Sequence, residues 1–142
     1  MKTSKIVVAL AAAILAALLF SFVEVSPVQA ADQRFFELRT YTANPGKLDA
    51  LNARFRNHTN KLFVKHGMDL IGYWTPADGP ESANTLVYIL AYPSREAREA
   101  SWKAFQADPD WKTARAESEK DGRLVEKVES KFLNPTDYSP TK

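Results

Sequence analysis

The sequence predicts an α+β domain: a four-stranded antiparallel sheet with helices on one face. Three observations carry this. From Arg34 onward the elements run strand, helix, strand, strand, helix, strand. The two middle strands are joined by residues 76–84, a stretch of Pro, Gly, Asp, Ser and Asn that can only be a loop, so they pair as a hairpin. Both of those strands are apolar on both faces, whereas a strand covered on one side alternates apolar with polar. Something must therefore cover each face of the sheet.

The first thirty residues stand apart from this domain. Lys2 and Lys5 precede an apolar run over residues 6–22, and Pro27-Val28-Gln29-Ala30 follows, with Val28 and Ala30 at the −3 and −1 positions of a signal peptidase site. A membrane anchor is the competing reading, since the run approaches spanning length. The small residues at its end and the absence of a basic stop-transfer flank favour cleavage. The expected organisation is a signal peptide over 1–30 and one domain over 31–142, secreted or periplasmic, with no stable membrane span after cleavage. The absence of Cys excludes disulfides and lipoprotein attachment. Removing Lys2, Lys5 and Glu24 from the 19 cations and 17 acids leaves 17 against 16. Charges of both signs are interleaved, so there is no basic stripe for nucleic acid.

The first strand is Arg34-Phe35-Phe36-Glu37-Leu38-Arg39-Thr40-Tyr41-Thr42. Side chains alternate between faces, so Phe36, Leu38 and Thr40 share one face and Phe35, Glu37, Arg39 and Tyr41 the other. The apolar set is expected against the helices. The mixed set is expected on the opposite face, as a pocket wall. Pro45-Gly46 ends the strand. A helix follows over 47–65, with Leu48, Leu51, Phe55, His58 and Leu62 as its apolar stripe and Gly67 as its C-terminal stop. Strands are predicted over 68–75 and 85–92. Ser94 opens the next helix, whose stripe is Ala97, Ser101, Ala104 and Phe105 with Trp102 beside it. Asp108-Pro109 opens a short one that runs to about Asp121. The fourth strand covers 124–133, and Asn134-Pro135 leads into an extended tail. This order is the ferredoxin-like β-α-β-β-α-β arrangement.

Within it, Phe36-Glu37-Leu38-Arg39-Thr40-Tyr41, Pro45-Gly46-Lys47-Leu48, Lys65-His66-Gly67, Gly72-Tyr73-Trp74, Asp108-Pro109-Asp110-Trp111 and Phe132-Leu133-Asn134-Pro135-Thr136 resemble, in order, the landmarks of the NIPSNAP family. The resemblance covers nearly all of residues 31–142. It implies a dimeric α/β barrel in which two ferredoxin-like protomers set their sheets face to face. Cofactor-independent monooxygenases, haem-degrading enzymes and lactone isomerases share that architecture. It brings no settled chemistry with it.

The chemistry in the residues themselves is sparse. His58 and His66 are eight apart on the predicted helix, about 12 Å along its axis, and cannot share an ion from one helix. With no Cys and no HExxH spacing, no metal site is expected. No cofactor is expected either, since dinucleotide and phosphate-loop glycine patterns are missing, as is a nucleophile elbow. His58 reads as a core-edge residue, and His66 as a helix cap that can reach a pocket. Glu37 and Arg39, at i and i+2, are read as too far apart for one tight pair; Lys127, Glu129 or Lys131 are their alternative partners. Two functions stay open. One is a homodimer that binds a small, partly apolar molecule inside its barrel, with cofactor-free chemistry open to it, Arg39 as anion anchor, Glu37 as candidate proton acceptor of raised pKa, and Tyr41, His66, Trp74 and Tyr88 around the ligand. The other is a non-catalytic interaction domain whose barrel is only a dimer core. Trp102, Phe105 and Trp111 are read as core.

Overall fold

In the computed structural model, residues 34–142 are described; the expected signal sequence lies outside them. Four strands, β1 (Phe35–Ala43), β2 (Asp69–Trp74), β3 (Thr85–Tyr92) and β4 (Val125–Leu133), form one antiparallel sheet in the order β2-β3-β1-β4. The helices are α1 (Leu48–Arg54), α2 (Asn60–Lys65), α3 (Arg95–Ala107) and α4 (Pro109–Ser118), with a short 3-10 turn at Pro80–Ala83 in the hairpin loop. Helices cover one face of the sheet, giving the ferredoxin-like α+β fold. Among the described residues no helix is long and apolar enough to cross a membrane.

The faces of β1 are the reverse of those expected. Glu37, Arg39 and Tyr41 point to the helices: Glu37 is bonded to Trp102 and Arg98 of α3, and the Tyr41 ring packs edge-on against Phe55. Phe36, Leu38 and Thr40 point to the open face, opposite Ala91, Ile89 and Val87 of β3 and Leu133, Lys131 and Glu129 of β4. The expectation assumed that the more apolar set seeks the helices. The helix side instead accepts Glu37 because donors surround it there, and the apolar set forms an outer surface with Val87, Ile89 and Ile71. Lys127, Glu129 and Lys131 are thus on the wrong face to partner Glu37.

The predicted helix over 47–65 is one run with a π-helical turn at Phe55–Thr59 between α1 and α2. The wider turn shifts the inward stripe by one residue. Thr59 is buried, its hydroxyl donating to the Arg54 carbonyl at 3.3 Å, and His58 is left exposed rather than at the core edge. Leu51, Arg54, Phe55, Leu62 and Phe63 complete the buried stripe. In β2 a register shift between Leu70 and Gly72 also splits the expected alternation. Leu70 and Tyr73 face the helices, while Gly72 and Trp74 face outward. The Trp74 indole lies on Gly72, where a Cβ would come within 2.5 Å of the ring.

The caps follow the sequence. Ser94 Oγ accepts from the Ala97 N–H at 3.1 Å, and Asp108 Oδ1 from the Asp110 N–H at 2.8 Å. On α3, Ser101, Trp102 and Phe105 are buried while Ala104 is exposed. Gly67, at φ +76°, ends α2 with a paired motif: Met68 N–H donates to Phe63 O and Gly67 N–H to Val64 O, both at 3.0 Å. A Cβ at Gly67 would meet only Ser101 Oγ, at an ordinary 3.7 Å, so the cost of substitution is in the backbone. Gly67→Ala is expected to destabilise the domain by about 1 kcal/mol, seen as a lower urea midpoint at unchanged slope.

Candidate functional site

The site begins with a carboxylate that has no exposed surface. Glu37 is 0 % exposed, and each of its oxygens accepts three hydrogen bonds. Oε1 accepts from Arg39 Nη1 (2.7 Å), Arg98 Nη2 (2.8 Å) and Ser130 Oγ (2.6 Å). Oε2 accepts from Arg98 Nε (2.9 Å), Tyr92 OH (3.1 Å) and Trp102 Nε1 (3.0 Å). Burial pushes its pKa up, but the bonds from Arg98 and Ser130 and the charge and bond of Arg39 outweigh this and hold it at about 2. The expected upward shift is therefore overturned. A carboxylate so held is a poor proton acceptor. The expectation that Glu37 and Arg39 are too far apart also fails, because the long Arg39 side chain folds back along the strand to reach its i−2 neighbour.

Arg39 is fixed on all three nitrogens. Nε donates to Tyr88 OH at 2.9 Å, Nη1 to Glu37, and Nη2 to Tyr41 OH at 3.3 Å. Its guanidinium lies 4.2 Å from the Trp102 ring centroid. Burial opposes the charge on Arg39, but the Tyr88, Tyr41 and Glu37 oxygens outweigh it and raise its pKa, so it is charged at any working pH. Burial raises Tyr88 and Tyr73 well above the ordinary phenol range.

Beyond Arg39 and Tyr41 a pocket of about 530 Å³ opens between the sheet and the helices. Its walls come from β1 (Arg39, Tyr41), the α1–π turn (Arg54, Phe55, Thr59), α3 (Trp102, Phe105), α4 (Trp111, Arg115) and the start of β4 (Val125, Val128). Arg54 is 5 % exposed; its Nη1 donates to Glu119 Oε1 at 3.1 Å and Ser118 Oγ at 3.3 Å, and its guanidinium stacks on Trp111 at 5.2 Å. Burial raises the Glu119 carboxyl, but the bonds from Arg54 and Arg115 prevail and lower it.

Of the residues singled out in the sequence, Arg39 and Tyr41 line this pocket, and Glu37 and Tyr88 lie behind them, fully buried. Trp74 is on the opposite face of the sheet and 52 % exposed. His66 is at the end of α2, with Nε2 2.7 Å from Asp108 Oδ2, an oxygen shared with Lys65 Nζ at 2.8 Å. It ties α2 to the cap of α4 and is not among the pocket's lining residues. Trp102, Phe105 and Trp111, expected as core, form one wall of the pocket. Arg54, Arg98, Tyr92, Ser130 and Glu119 were not legible as site residues. Arg98 carried one signal, since it stands four residues before Trp102 and so shares its helix face. Arg54 carried another, three residues after Leu51.

The Glu37 cage sets an acid limit on the fold. Its pKa is near 2 when folded and 4.5 in an open chain, so its stabilisation is complete above pH 4.5. It is lost as pH falls from there through 2, by about 3 kcal/mol in all. Glu37→Gln is expected to cost about 3–5 kcal/mol at neutral pH by leaving Arg39 and Arg98 short of a counter-charge. Its thermal melts should fall less steeply than the parent's between pH 4.5 and 2, because this one titration is gone.

Comparison with known proteins agrees with this fold. No curated protein matches the chain. A NIPSNAP family protein of unknown function from Agrobacterium tumefaciens is 28 % identical, with a TM-score of 0.66 over 77 % of this chain and 94 % of that one. A second from the same organism is 25 % identical, with a TM-score of 0.67 over 77 % and 99 %. A cofactor-independent oxygenase from Streptomyces nogalater is 13 % identical, with a TM-score of 0.50 over 76 % and 98 %, a likeness of fold alone. The NIPSNAP family profile matches residues 36–140, and the chain belongs to the NIPSNAP family.

Proposed function

We propose that the chain is an exported homodimer in which each protomer binds a small, partly apolar molecule in the pocket between its sheet and its helices. The observation that carries this is the pocket of about 530 Å³ beside Arg39 and Tyr41, walled by Trp102, Phe105 and Trp111. Concave sites of this size hold small organic ligands, and here an aromatic wall stands beside charged groups that can fix a ligand's polar end. The Glu37, Arg39 and Tyr41 side faces the protomer's own helices rather than a partner sheet, so the open volume beside Arg39 and Tyr41 is a ligand site within the protomer and not in a barrel between two sheets. Binding is favoured over acid–base chemistry because Glu37 and Glu119 are both held ionised by arginines.

The dimer is supported by the open face. Leu38, Val87, Ile89, Ile71 and Leu133 lie there with the exposed Trp74, and the tail reaches part of it, where Pro135, Thr136 and Ser139 line a groove with Phe36, Ile71 and Ile89. An apolar sheet face of this kind is a site of association. Export is supported by the Lys2–Ala30 pattern alone.

Native mass spectrometry of protein purified from the non-cytoplasmic fraction of its own host is expected to give twice the mass of a chain beginning at Ala31, plus a retained small molecule. A ligand-free monomer with Met1 intact would overturn the proposal. Ile89→Glu, which places a charge at the centre of the open face, is expected to give monomers by light scattering while leaving the helix-side pocket in place.

A further inference from the structure

Positive charge in the pocket is not balanced. Arg39, Arg54, Lys112, Arg115 and Arg123 line it against the single carboxylate of Glu119. Arg39 is matched from behind by Glu37 at 2.7 Å. Glu119 is shared by Arg54 at 3.1 Å and Arg115 at 3.3 Å. Among the described residues, neither Lys112 nor Arg123 has a carboxylate within ion-pair distance. The Arg54 Nε, buried at the pocket wall, has no hydrogen-bond partner, a rare and costly condition for a donor. The surplus charge is thus at the α4–β4 end of the pocket and not at the Arg39 end, where every guanidinium nitrogen is already engaged.

The aromatic wall runs between the two ends. The Trp102, Phe105 and Trp111 rings follow one another at 5.6 and 4.5 Å. A guanidinium stacks at each end of the row, Arg39 on Trp102 and Arg54 on Trp111. A flat ring can lie along such a wall. An acid attached to it meets arginines that offer paired N–H donors in a site partly withdrawn from water.

We infer that the pocket selects flat aromatic carboxylates, with the ring along Phe105 and Trp111 and the carboxylate at the Arg54–Arg115–Arg123 end. This rests on the pocket being a ligand site, and it adds the ligand's chemical class and orientation. Glu119 then serves as a resident counter-ion that keeps Arg54 and Arg115 in place for an incoming acid.

Isothermal titration of the purified protein with 2-naphthoate and with 2-naphthamide, equal in shape and differing in charge, tests both layers. Naphthoate is expected to bind at least about tenfold more tightly than the amide. Arg123→Gln is expected to remove most of that preference at an unchanged melting temperature, because the Arg123 side chain is exposed and ties no element to another. Equal affinity for the two probes would overturn charge selection and leave the pocket as a site for apolar ligands. Binding of neither would overturn the pocket itself. A naphthoate preference that survives both Arg123→Gln and Arg115→Gln would overturn the placement of the carboxylate.

Discussion

The buried carboxylate of Glu37 is the constraint on which the rest of the structure depends. Taking an ion out of water costs several kcal/mol unless its oxygens are saturated. Here six donors supply that, and they come from four elements: Arg39 on the same strand, Tyr92 on β3, Ser130 on β4, and Arg98 and Trp102 on α3. One side chain therefore ties together β1 and the two strands beside it, β3 and β4, and the seat of α3 upon them. Because its partners are spread so widely, the cage forms only when the sheet and helices are together.

The same side chain determines the outer surface. A strand cannot turn Glu37 inward without turning Phe36 and Leu38 outward. Once those apolar residues join Ile89 and Val87 on the open face, the sheet has an uncovered hydrophobic side with a charged border of Lys127, Glu129 and Lys131 along β4. A polar interior and an apolar exterior are two sides of one parity. The homodimer proposed above would use the surface this parity leaves.

The pocket depends on a second local departure from regularity. A regular helix over 47–65 would turn His58 inward. The π turn instead carries Thr59 inward and brings Arg54 and Phe55 together at the pocket wall. Glu119 ties α4 back to Arg54 of α1, and Asp108 ties its start to His66 and Lys65 at the end of α2, so α4 is held against the first helical run at both of its ends, beside a space that the aromatic row does not fill. Glu37 orients Arg39 at the back of that space, and Glu119 orients Arg54 and Arg115 at the front.

The order of strands and helices, the caps at Ser94, Asp108 and Gly67, and the family itself were determined by the sequence alone. Each rests on local chemistry: loop residues, side-chain oxygens at helix starts, a left-handed glycine, and short motifs in sequence order. The faces of β1, the inward turn of Thr59 in place of His58, and the split of β2 at its register shift were decided only by the tertiary structure. Periodicity reports which residues share a face, but not which face the remaining layers will cover. For Glu37 that choice turned on donors as far away as Arg98 and Ser130, whose approach no window of sequence around β1 contains. Trp102, Phe105 and Trp111 were legible as buried aromatics, and that they border an open volume depends on how far α4 stands from the sheet. The seat of α4 in turn depends on ion pairs with Arg54, Lys65 and His66, residues dozens of positions away.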